Sequence, residues 1–445
     1  MADLGDLCRV AVEAARGGEA IEAYAEESRR TEVSARRGAV EGLTFAEARG
    51  VGIRLVDAGR LGYAYVADPS EDDVRAAVDA ARENAALAQA DEHNVLPAPE
   101  RAAPIPELYR DAQASMPTED KVGLALDLER AATSTDPRVR KVDECQVGDA
   151  ASRIAIASTR GVDAEYSRTD TWCLAVTIAE ADGDTQTGFS YRIGRELGEL
   201  GWEEVAAEAA RRAARMLGAR KPETTKVPVV LDPFAGMEFL GVLASALSAE
   251  SVQKGRSLFA DRVGDRVGSD AVTLVDDGTL LAGPGASPFD DEGVPSGRTE
   301  LISGGVLNGF LHNSYTASRG DTTSTGNAHR AGYRSTPGVG TTNFYVEAGP
   351  RSFEELLREA DGGILIEDVS GVHSGANPIS GQFSVGATGL RIDGGDVADP
   401  LREMTIASTI PDMLQAVSAV GSDLRFFSSV GVPSILIGEM TVAGI

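Results

Sequence analysis

Apolar and polar positions change rhythm several times along the chain, and each change marks an element. Leu4, Leu7, Val10, Val12 and Ala14 recur at helical spacing until Gly17-Gly18 stops them, so a helix opens the chain. From Ala20 to Val66 the pattern is strand-like: Glu32-Val33-Ser34, Gly50 to Val56 and Leu61 to Val66 are separated by turns at Arg37-Gly38 and Asp57 to Arg60, an antiparallel meander. Ser70 with Asp73 forms a capping-box pair for a helix whose stripe, Val74, Ala77, Val78, Ala81 and Ala85, suits the meander's apolar face. Pro97, Pro99, Pro104 and Pro106 deprive residues 95 to 117 of any period, which predicts a strap. A helix capped by Thr118 runs through Leu128, and strands follow at Val139 to Cys145, Ser152 to Ser158 and Trp172 to Ala179, with Asp163 to Tyr166 as a return strand. Trp202 to Leu217 alternates acids and arginines about an alanine stripe, a further helix that Lys221-Pro222 ends.

That break places a domain boundary near 220, giving an N-terminal α+β domain over 1–220 and a C-terminal β-rich domain over 221–445. The second half begins with the buried-strand signal Val227 to Leu231 and an apolar helix from Pro233 to Leu247. Strands, turns and glycine loops follow, interrupted by one helix at Ser352 to Glu359, and no segment repeats at a fixed period. The fold class is therefore α+β: an antiparallel sheet with helices, then a curved, barrel-like sheet. Hydrophobic residues at 42% of 445 supply real cores, and 50 glycines against 12 phenylalanines favour tight turns and short connections.

Charge narrows the partners. A formal net charge of −27 repels phosphate backbones and anionic lipid, so nucleic acid and membrane surfaces are excluded as partners. The acidic stretch Met1 to Val12 lacks the basic and apolar regions of a signal peptide, and no run of about 18 apolar residues occurs, so a cytoplasmic protein is expected. Cys8, Cys145 and Cys173, odd in number and without a CxxC, read as reduced thiols.

Ordered blocks in the second half carry a resemblance. Lys254-Gly255-Arg256-Ser257 with Phe259 and Gly264, Phe289-Asp290-Asp291-Glu292-Gly293, Gly305-Val306-Leu307, Ser324-Thr325-Gly326-Asn327-Ala328, and Gly381-Gln382-Phe383-Ser384 with Gly389 resemble the signatures of the TldD/PmbA (TldD/TldE) family. The layout of the first half agrees. In TldD-type members of that family, HExxxH upstream of the Lys-Gly block supplies two histidine ligands and a glutamate base, and a cysteine near the C-terminus completes a metal site. Counted back from Lys254-Gly255, those positions fall on Leu240, Gly241 and Ser245. The C-terminal segment, Pro433 to Ile437 and Thr441 to Gly444, has no cysteine and looks like the PmbA (TldE) ending. The resemblance therefore implies a subunit with no metal of its own, paired with a TldD-type metallopeptidase chain that carries zinc. It further implies a closed chamber between subunits that processes short or unfolded peptides.

Within that chamber, Asp290, Asp291, Glu292, Ser324, Thr325, Asn327 and His329 are the peptide-contact candidates. With His312 or His329, the three acids could in principle hold Mg²⁺ or Mn²⁺, although carboxylates before a glycine more often cap turns. Thr322 to Arg330 offers hydroxyls, an imidazole and a guanidinium to an extended peptide, against the plainer reading of a hydrogen-bonded loop. Ser374 or Ser384 with His373 and Asp368 makes a triad only on paper, since no GxSxG surrounds them. Two other functions stay open at this point: a self-sufficient enzyme using the 290–292 acids, and a peptide-binding scaffold homodimer acting by strand addition.

Overall fold

The computed structural model describes residues 2–444; Met1 and Ile445, the outer limits of the two expected domains, lie outside the described residues. Its first half is α1 (Leu4–Glu13), β1 (Ala20–Arg36), β2 (Ala39–Asp57), β3 (Arg60–Ala67), α2 (Glu71–Leu87), α3 (Asp111–Ala114), α4 (Thr118–Ser134), β4 (Val139–Ser158), β5 (Asp163–Ala181), β6 (Asp184–Gly194) and α5 (Trp202–Arg215). The strands form one antiparallel sheet in the order β3-β2-β1-β4-β5-β6. Alternation along β1 assigns its two faces. Ile21, Ala23 and Ala25 are buried under α1 and α2, while Val33 and Ala35 are buried with residues of α4 and α5. Glu22 and Tyr24 point the other way, into the loops of the second half. Each fully buried Leu or Ile on the helix side contributes about 1.5–3 kcal/mol.

Several elements depart from expectation for identifiable reasons. The helix over 118–134 is capped by Pro117 without a side-chain bond, so Thr118 is its first residue and not its cap, and it runs on past Leu128. The segments 139–145 and 152–158 are one strand of 20 residues. Val147-Gly148-Asp149 imitates a turn, but Gly148 is there to admit the Trp172 ring, 2.2 Å from where a Cβ would sit, and Asp149 receives Lys121 at 2.7 Å. Likewise 163–166 and 172–179 are one strand whose polar middle holds the Arg168–Asp170 pair. β6 follows the two-residue Asp182-Gly183 turn, both at positive φ, a hairpin signal that the sequence reading passed over. The strap is non-helical apart from the single turn α3.

In the second half, β7 (Thr225–Leu231) sits between strands 364–370 and 435–444 in a six-stranded sheet that continues to 382–393 and 396–409 on one side and 417–420 on the other. Because 396–409 also pairs with 435–444, five strands close into a barrel. A second six-stranded sheet, from 274–277, 298–303, 306–307, 344–346, 425–427 and 430–432, packs beside it. Between them lies α6 (Pro233–Ala246), whose Phe239, Leu240 and Leu243 join barrel residues such as Ile366 and Ile437 and sheet residues such as Leu274 and Phe344 in one core. Phe239 meets Phe383 edge to face at 5.8 Å. The expected helix near 352–359 is present with its Ser352–Glu355 capping box, yet it is not alone. Short helices at 249–253, 314–319, 372–375 and 410–416 accompany it, each too brief to display a 3.6-residue period.

Candidate functional site

Two loops from the second half, 287–297 and 320–332, lie against the helix-free face of the first sheet. Asp290 ties them together: one carboxylate oxygen accepts the backbone N–H groups of Glu292 and Val294 at 2.9 and 3.0 Å, the other that of Ala328 at 2.9 Å. Burial and the nearby Glu292 charge push its carboxyl well above the ordinary range, against the pull of those three donors. Asp291 accepts the Arg330 N–H at 2.6 Å, and burial raises its carboxyl as well. Two glycines are indispensable here. Gly293 and Gly326 both have positive φ, and a Cβ on them would lie 2.5 Å from Val162 and 2.6 Å from the Pro295 carbonyl.

Glu292 departs from its expected role. Its side chain is fully buried and accepts Arg54 at 2.6 Å and the Ser314 N–H at 2.8 Å, so it faces the junction of the two halves and not a chamber. Arg54 also grips Glu22 through two bonds, at 3.1 and 2.6 Å, and Glu22 receives Arg330 as well. The result is a buried chain Glu292–Arg54–Glu22–Arg330 running between β2, β1 and the 320–332 loop. Burial works against the Arg54 charge, but Glu22 and Glu292 outweigh it and push its pKa up. Ser324 and Thr325 are likewise structural, bonded to the His312 backbone and to Asn327. Asn327 passes its amide to Asp276 at 2.7 Å and to the Gly340 carbonyl at 3.0 Å.

The remaining candidates do converge. Asp290, Asp291, Asn327 and His329 line a cleft of about 670 Å³ between the halves, within the size range of ligand sites. Its opposite wall comes from residues that the sequence reading did not select: Tyr24 and Glu26 of β1, Ile154 of β4, Tyr166 and Arg168 of β5. The one available signal was parity, since Glu22, Tyr24 and Glu26 share the face opposite Ile21, Ala23 and Ala25. A second groove of about 340 Å³, lined by Ser245, Ser248, Glu250 and Leu311, shares Gly340 and Thr341 with the first. The two therefore adjoin. The paper triad does not form: the Ser374 hydroxyl bonds the Gly371 carbonyl, and no hydrogen bond among the described residues joins Asp368 to His373.

Three segments match known family domains: residues 21–85 match PmbA/TldA metallopeptidase domain 1, 111–217 the central domain and 224–444 the C-terminal domain. The chain belongs to the PmbA/TldD family. Metalloprotease PmbA of Escherichia coli O157:H7 is 29% identical over 416 residues, 93% of this chain and 89% of that protein. The crystal structure of a putative modulator of a DNA gyrase from Thermotoga maritima superposes with a TM-score of 0.90 at 28% identity, covering 98% of both chains. TldE from Thermococcus kodakarensis shares the fold at a TM-score of 0.89 and 24% identity, covering 99% of each chain.

Among PmbA/TldD proteins the question is whether this chain's residues suit a zinc ion, and at the motif positions they do not. Leu240 offers no donor atom and is fully buried in the core, Gly241 has no side chain, and Ser245 is exposed on the far side of the helix. All three cysteines are buried in the first half, where burial raises each thiol to about 12, unlike the ready thiolates that metals take. No helix among the described residues is long and apolar enough to cross a membrane.

Proposed function

We propose that this chain is the PmbA/TldE-type subunit of a two-chain peptidase, lacking a metal of its own and forming one wall of a chamber that accepts short or unfolded peptides. The reading rests above all on α6, where the family's ligand positions are occupied by a core leucine, a glycine and an outward serine. Apolar packing holds this helix in place, as coordination would in a metal-binding chain. The groove at Ser245 and its continuation into the larger cleft support a role in seating a peptide rather than cleaving it. A second supporting feature is β2, whose first half pairs with β1 alone because β3 reaches only as far as Gly50. Leu43 and Phe45, 54% and 64% exposed there, lie on an open edge of the kind that a second chain covers.

A self-sufficient enzyme built on residues 290–292 is disfavoured, because their carboxylates are committed to backbone N–H groups and to Arg54. The test is reconstitution. Purified alone, the chain is expected to hold zinc only substoichiometrically and to leave an unstructured peptide intact; mixed with a TldD-type chain carrying HExxxH, it should elute as a hetero-oligomer with chelator-sensitive activity. Equimolar zinc or cleavage in the lone chain would defeat the reading.

A further inference from the structure

Across its two walls the main cleft holds more acidic side chains than its own cations pair with. Glu26 makes no ion pair among the described residues, and the Tyr333 backbone N–H favours its charged form; burial, with Asp291 adding to it, raises its carboxyl. One Asp291 carboxylate oxygen accepts the Arg330 backbone N–H and lies 3.7 Å from His329, while the other takes no hydrogen bond among the described residues; the Arg330 guanidinium favours the Asp291 charge from nearby but spends its own N–H groups on Glu22 and on the Ser335 and Asp291 carbonyls. Arg168, the other cation on the wall, is committed to Asp170 through two bonds of 2.8 Å, and Asp170 is shared with Arg195. Beside Glu26 and the unoccupied Asp291 oxygen stands Tyr24, only 5% exposed, with its ring under the Arg330 guanidinium at 5.1 Å. Tyr24 lines the cleft, and its hydroxyl, unlike the rest of the side chain, is open to it and makes no hydrogen bond among the described residues.

An acidic corner beside an unpartnered hydroxyl that faces the cleft offers its acceptors to a cation. From this geometry we infer that Glu26, Asp291 and the Tyr24 oxygen bind the ammonium or guanidinium of a peptide, making the chamber selective for chains that present a positive group. Three acceptors match the three N–H donors of an ammonium. The aromatic neighbours Tyr166 and Phe289 suit the apolar stem behind it. The inference rests on the chamber reading and specifies the substrate class: peptides with a free amino terminus or a basic side chain, held in the cleft that adjoins the Ser245 groove.

Fluorescence anisotropy on the full chain tests it, with a labelled Gly/Ser/Ala peptide carrying one lysine and its norleucine counterpart, each with a free and an acetylated amino terminus. The cationic peptides should bind about tenfold or more tightly than the neutral one, a gap that narrows with salt. Acetylation and the norleucine change then show whether the amino terminus or the side chain is the group seated. In Glu26→Gln the ratio of cationic to neutral affinity should fall to about one, and Tyr24→Phe should narrow it. Because burial opposes the Glu26 charge, no ion pair among the described residues holds it, and a Gln oxygen can still accept the Tyr333 N–H, Glu26→Gln should melt no lower than the parent, which certifies folding. Equal affinity for all four peptides, a preference that survives Glu26→Gln, or preferred occupation of the corner by Mn²⁺ would overturn the inference. Failure of every peptide to bind, with the chain alone and with a TldD-type partner present, would instead remove the chamber reading and this inference with it.

Discussion

Removing the charge of Glu208 should cost stability in a pH-dependent way whose size the structure sets. Glu208 lies on α5 in the first half, yet both its carboxylate oxygens receive Arg425 from the second, at 2.7 and 3.1 Å, while Arg212 approaches at 3.2 Å and the Ser190 hydroxyl at 2.7 Å. Burial opposes the charge, but Arg425, Arg212 and Ser190 outweigh it and draw the carboxyl from 4.5 to about 2. That fall, at about 1.4 kcal/mol per pH unit, corresponds to about 3–4 kcal/mol of folding stability. The side chain is 14% exposed, so solvent screening takes little from it. A carboxyl depressed in the folded state contributes fully above its unfolded value, near 4.5, and loses that contribution as pH falls toward 2. Urea unfolding of the parent and Glu208→Gln, followed by the fluorescence of Trp172 and Trp202, should therefore differ by about 3–4 kcal/mol at neutral pH. The two should converge as the pH approaches about 2. A difference below about 1 kcal/mol, or one independent of pH, would refute the assignment of Glu208 as a desolvated link between the halves.

The same logic applies to Arg54, which holds Glu22 and Glu292 with 7% of its side chain exposed: Arg54→Met should lower stability by about 3–5 kcal/mol, and pairing it with Glu292→Gln should recover part of the loss, as a double-mutant cycle by urea titration would show. Combining Leu240→His, Gly241→Glu and Ser245→His should not create a zinc peptidase, because the first substitution buries an imidazole in the apolar core and no thiolate is at hand; a lowered melting temperature with no zinc-dependent hydrolysis is the expected outcome. Gly62→Ala should destabilise by about 1–3 kcal/mol, because its Cβ would stand 1.9 Å from the Ala81 carbonyl of α2, and hydrogen exchange should rise in both β3 and α2.

What the sequence discloses and what it hides follow from how each segment is buried. Helices α1, α2 and α5 are legible because each has one wet face, so their stripes stand out against acids and arginines. β4 and β5 are less so, because each passes from a helix-covered region to one facing the second half, and residues such as Gly148 and Arg168 answer to distant partners. A glycine that admits a tryptophan ring looks the same in sequence as one that turns the chain. The candidate site shows the same division. Asp290, Asp291, Asn327 and His329 fall within 40 residues of one another and meet in space, whereas Tyr24 and Glu26, between 264 and 305 positions earlier, join them only through a sheet whose second face cannot be read from local pattern. Glu292 looked like its neighbours because adjacent loop residues carry no mark of direction, and the arginine that claims it lies 238 residues away.

The decisive measurement is the metal content of the chain purified alone, taken together with peptide hydrolysis before and after a TldD-type chain is added. If the α6 positions have given up coordination, zinc stays far below one equivalent, the lone chain leaves peptide uncut, and chelator-sensitive cleavage begins only with the partner. One tightly held zinc per chain, with hydrolysis by the lone protein that a chelator stops, would contradict it.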